Sequence, residues 1–190
     1  GKASANLTAA RVWDGGTPAP VPGTFAPSQA SSSLGLGLTA PLGQDPEKRK
    51  AVADFAWSDF DADRNVPGAS TSGLAYNVQL TGRESALDWT VWLYDIPTDF
   101  YTLGNPFLAR GLRGRHLELS SSPLRSTTLH LGVADRTESY LAAVLDQVGT
   151  VPRTDAKDVT FDVTYAGAGD WPSASFSAVW GDRDNNTSGD

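Results

Sequence analysis

The chain has 190 residues, 39 % of them hydrophobic and 19 % charged, with a net charge of −7 and a pI near 4.7. One domain of ordinary globular composition fits these values, and the acidic balance argues against a phosphate backbone as partner. With no cysteine there is neither a disulfide framework nor a thiolate zinc site, and with 19 Gly and 12 Pro turns should outnumber long helices.

In chain order, residues 5–13 predict a first strand. Residues 14–43 are rich in Gly, Pro, Ala, Ser and Thr and read as an extended arm. The segment 1–43 is therefore expected as a strand plus arm, 44–181 as the body and 182–190 as an acidic tail. Gly1 in place of Met fits removal of an initiator or of a leader. Asp45-Pro46-Glu47 has the form of a helix start, while Ala51, Ala53, Phe55 and Trp57 alternate as a strand does, so 46–58 reads as a helical turn leading into a strand.

Strand signals follow at Leu74–Leu80, Leu87–Tyr94, His116–Leu119, Thr127–Val133, Val159–Tyr165 and Phe176–Trp180. One helix is predicted over about 136–148, with Asp135 and Glu138 at capping-box spacing, an apolar stripe from Tyr140 to Val148, and Gly149 as the stop. The fold class expected is mainly β: an antiparallel β-sandwich or partly closed barrel, one packed amphipathic helix and the N-terminal arm.

Several side chains are candidates for chemistry. If the segments around 117 and 129 form a hairpin closed by residues 120–126, His116 faces His130, with Glu118 on the same face, and this trio is a candidate metal site. Asp59, Asp61, Asp63 and Asn65 alternate as oxygen ligands for Ca2+ do, although Arg64 and Ser70 break the EF-hand pattern. Arg110, Arg113, Arg115 and Arg125 gather in sequence near one loop and are candidate partner contacts. Trp89 and Trp92 point to opposite faces. Trp92, Tyr94 and Trp171 are candidates for an interface or a sugar platform. Asn6 and Asn185 begin Asn-X-Thr sequons.

No Gly-x-Ser-x-Gly, His-Glu-x-x-His or phosphate-loop motif occurs, so no enzyme class is indicated and no cofactor beyond Ca2+ is expected. No apolar run approaches the ~18–20 residues of a membrane-crossing helix, and no membrane span is expected. The leading expectation is a non-enzymatic, self-assembling subunit of a virion (phage tail or capsid) or a bacterial surface layer, with copies of itself or other subunits as partners. It would sit in the virion or at the cell surface, or assemble in the cytosol. A secreted carbohydrate- or calcium-binding module is the second reading, and a metal-dependent enzyme using His116, Glu118 and His130 the third.

Overall fold

A computed structural model describes residues 2–13, 29–45, 48–61, 70–101, 110–139, 153–167 and 172–186. Nine strands make one antiparallel sheet in sequence order: β1 (Ser4–Trp13), β2 (Ala30–Pro41), β3 (Arg49–Asp61), β4 (Ser70–Glu84), β5 (Leu87–Ile96), β6 (Leu112–Leu124), β7 (Thr127–Ser139), β8 (Arg153–Tyr165) and β9 (Ala174–Asn186). The sheet is not closed, and β1 and β9 form its two edges. Each strand pairs only with its neighbours in sequence, so no second layer exists among the described residues.

The mainly β, antiparallel expectation holds at that level: the sheet is single and not closed, and no helix occurs among the described residues. Residues 135–139 belong to β7, where Asp135 faces Lys157 and Glu138 faces Thr154, so the capping-box pair lies in a strand. The rest of the predicted helix, 140–148, falls outside the described residues. Residues 30–41, read as arm, are β2, because Leu34, Leu36 and Leu38 alternate with small residues that suit a ladder. Asp182 and Asp184, read as tail, lie in β9. The helical turn predicted from residue 46 falls first on residues 46 and 47, outside the described residues, and 49–58 are strand; beside them Lys48 N donates to Asp45 O at 3.2 Å, and Leu42 N to Arg49 O at 3.0 Å.

Connections differ at the two ends of the sheet. Those after β1, β3, β5 and β7 cover residues 14–29, 62–69, 97–111 and 140–152. At the other end β4 and β5 are joined by Ser85-Ala86, and β6 and β7 by Arg125-Ser126, each a two-residue hairpin. Ser85 takes φ 55, the left-handed value such turns need.

Candidate functional site

Period-two alternation divides the sheet into two chemically distinct faces. One cross-strand row runs Ala40–Ala51–Leu80–Val91–Leu117–Val133–Val159–Trp180, eight strands wide and wholly apolar. Two residues along on the same face, Leu119, Leu131, Phe161 and Ala178 continue it. These side chains have no second layer to meet: Leu74 is 59 % exposed, Phe176 60 % and Trp180 82 %. The buried apolar residues among those described are only Ala75, Phe100 and Ala156, so the described residues form no conventional core. A contiguous apolar surface of this kind marks a face meant for something other than water.

The rows in between point to the opposite face and are mostly polar. One reads Thr81–Thr90–Glu118–Gly132–Thr160, and another reads Asp54–Asn77–Tyr94–Gly114–Arg136–Ala156–Arg183.

Charges border the apolar face along the end with the long connections, and on β3 and β4 at the other end. Toward the short turns Arg49 and Glu84 form a salt bridge. Toward the long connections the border is Arg11–Ser32–Asp59–Ser72 on β1 to β4. On β6 to β9 it is Arg115–Asp135–Lys157–Asp182. Arg115 is bonded to Asp135 at 2.6 Å and Arg113 to Asp95 at 2.7 Å. The second row meets β4 at Val78, six residues from Ser72. The border thus steps by about 20 Å along the strand direction between β4 and β6.

Below this rim, Val91, Leu93, Leu117, Val133 and Val159 line a shallow groove of about 630 Å3.

The proposed His pairing changes register. The strands continue through Leu124, so the loop expected over 120–126 is a two-residue turn with a bulge between Ser121 and Leu124. His116 therefore faces Ala134, and His130 faces Ser120. Both imidazoles flank Gly132, with Glu118 3.6 Å from His116 and Asp162 3.2 Å from His130. Each histidine thus has its own acid, and among the described residues no group of three His, Asp or Glu gathers as a metal site would. Asp59 and Asp61 are on β3, while Asp63 and Asn65 lie outside the described residues.

The arginines separate. Arg113 and Arg115 sit on the charged rim, Arg125 is in the hairpin at the far end, and Arg110 stacks 4.8 Å over the Tyr101 ring. Trp171 is outside the described residues. Trp89 lies on the apolar face across Gly82, and Trp92 with Tyr94 on the polar face.

Sequence reasoning passed over a contact on that polar face. Past β5 the chain turns back over β3, where Tyr101 N donates to Ser58 Oγ at 3.1 Å and the Phe60 and Tyr101 rings meet at 4.1 Å. Ser58 is fully buried by it. Nothing in the irregular 95–114 composition carries that signal.

A comparison with protein-family models, with curated proteins and with solved structures found no match for this chain.

Proposed function

We propose that the nine strands form part of the wall of a transmembrane β-barrel, its apolar face toward lipid and its polar face toward a water-filled passage for hydrophilic solutes. The observation that carries this reading is the eight-strand apolar row, bordered by charge toward the long connections. On β3 the band runs from Arg49 to Asp59, about 33 Å along the strand, which at the ~35–45° strand tilt of such barrels would be about 23–27 Å high, near their ~25 Å apolar band. Strands of 10 to 15 residues are long enough to cross a bilayer. The two-residue turns after β4 and β6, against connections of 8 to 16 residues at the opposite end, agree with this class.

No helix of the described residues is long and apolar enough to cross a membrane, and crossing by strands does not require one. The role proposed is passage and not catalysis.

Single-tryptophan variants, with the other tryptophans replaced by Phe, test it in vesicles of brominated lipid. The variant keeping Trp180 should be strongly quenched and the one keeping Trp92 weakly. Equal quenching, or a chain that remains in the aqueous phase, would remove the membrane reading. A chain that forms filaments in water instead would favour the virion or surface-layer subunit, for which the open edges of β1 and β9 are the supporting feature.

A further inference from the structure

Trp92 is 41 % exposed on the face where its cross-strand neighbours are polar: Gln79 on β4 and His116 on β6. An indole left open in such surroundings is placed to meet something with both an apolar surface and hydrogen-bonding edges. Its orientation is fixed. The indole N–H donates to Asn77 Oδ1, and the Asn77 amide in turn donates to Asp54 at 3.4 Å. Tyr94 follows two residues on, its ring centroid 5.2 Å from that of Trp92. Tyr94 lies across Gly114, whose missing side chain leaves the room that the phenol occupies. The exposed Gln79 amide flanks the pair.

Arg136 is 3.2 Å from Asp158, so this cation is already paired, while the Asp54 carboxylate beside Asn77, Glu118 3.6 Å from His116 and Asp162 3.2 Å from His130 leave acceptor oxygens on this face. A neutral polyol with apolar ring faces can donate its hydroxyls to such acceptors, and an anion would be repelled by them.

We infer that Trp92 and Tyr94, framed by Asn77, Gln79 and His116, form a binding step for the pyranose rings of a neutral oligosaccharide. Sugar C–H faces stack on the two rings, and the rim hydroxyls reach the Gln79 amide and the His116 imidazole. The inference rests on the proposed wall only in taking this face to be wet.

The test is calorimetric titration of the full chain in detergent micelles with maltohexaose, cellohexaose and chitohexaose. At least one should bind, with affinity falling about tenfold or more in Trp92→Ala and in Tyr94→Ala, and changing little in Trp180→Ala on the opposite face. Gln79→Ala, at an exposed position, should weaken binding severalfold and keeps the test valid if the aromatic variants fold poorly. Absence of binding by all three sugars, or binding that Trp92→Ala leaves unchanged, overturns the step. Bromolipid quenching of Trp180 reports on the wall separately. Quenching without sugar binding sinks the sugar step alone, and sugar binding without quenching sinks the wall and leaves the step.

Discussion

The row Leu80–Val91–Leu117–Val133–Val159 and the row Thr81–Thr90–Glu118–Gly132–Thr160 are one residue apart along every strand they cross. They share backbone, ladder and twist, and they differ only in which way the Cβ points. One row is a hydrocarbon surface and the other a hydroxyl and carboxylate surface. A one-residue slip of a single strand would exchange its two sets of side chains, so contrast between the faces is also what holds the register. In a water-soluble sandwich the apolar row would be covered by a second sheet. Among the described residues it is open.

The largest test of that contrast is a buried-type charge on each face. Leu117→Arg should cost about 2–4 kcal/mol in urea unfolding from lipid vesicles, whereas Thr160→Arg on the polar face should cost under about 1 kcal/mol. Equal costs would mean that the two faces meet the same solvent.

Next come the two aromatic–glycine contacts, one on each face: Trp89 across Gly82 and Tyr94 across Gly114. Gly82→Val and Gly114→Val should each lower stability by about 1–3 kcal/mol, since the ring must leave its place. Unchanged unfolding midpoints would show that these rings are not held there.

Ser85→Gly should stabilise the β4–β5 hairpin by about 1 kcal/mol, because Ser85 sits at φ 55. No gain in midpoint would place that turn's strain elsewhere.

The smallest effect is expected at the rim. Asp135→Asn removes a pair whose side chains are 73 % and 33 % exposed. It should change stability by less than about 0.5 kcal/mol, and less still in high salt.

The strands were legible because period two is strong from Leu74 to Leu80 and from Val159 to Tyr165. What each face would touch was not. Alternation names two faces and says nothing of whether the apolar one meets a second sheet or a bilayer. The search for a membrane span looked for a continuous apolar run, which a strand such as Ala51-Val52-Ala53-Asp54-Phe55 never provides. The capping-box spacing of Asp135 and Glu138 proved to lie in a strand: in β7 they belong to opposite faces, Asp135 beside Arg115 and Glu138 beside Arg136.

Of the candidate sites, the split between Trp89 and Trp92 followed directly from their spacing. The His116–His130 pairing depended on a loop length. The polar run Ser120-Ser121-Ser122-Pro123 looks like a loop, yet it continues a strand. The partners of Trp92 needed the register of three strands at once, which no local window contains.

Because the count of strands is nine and each reverses the last, β1 and β9 run in the same direction. Joining those two edges directly, or joining β9 to the β1 of a copy in the same orientation, would create a parallel seam. A ring that is antiparallel throughout has even parity, so whatever completes this sheet without such a seam must bring an odd number of strands.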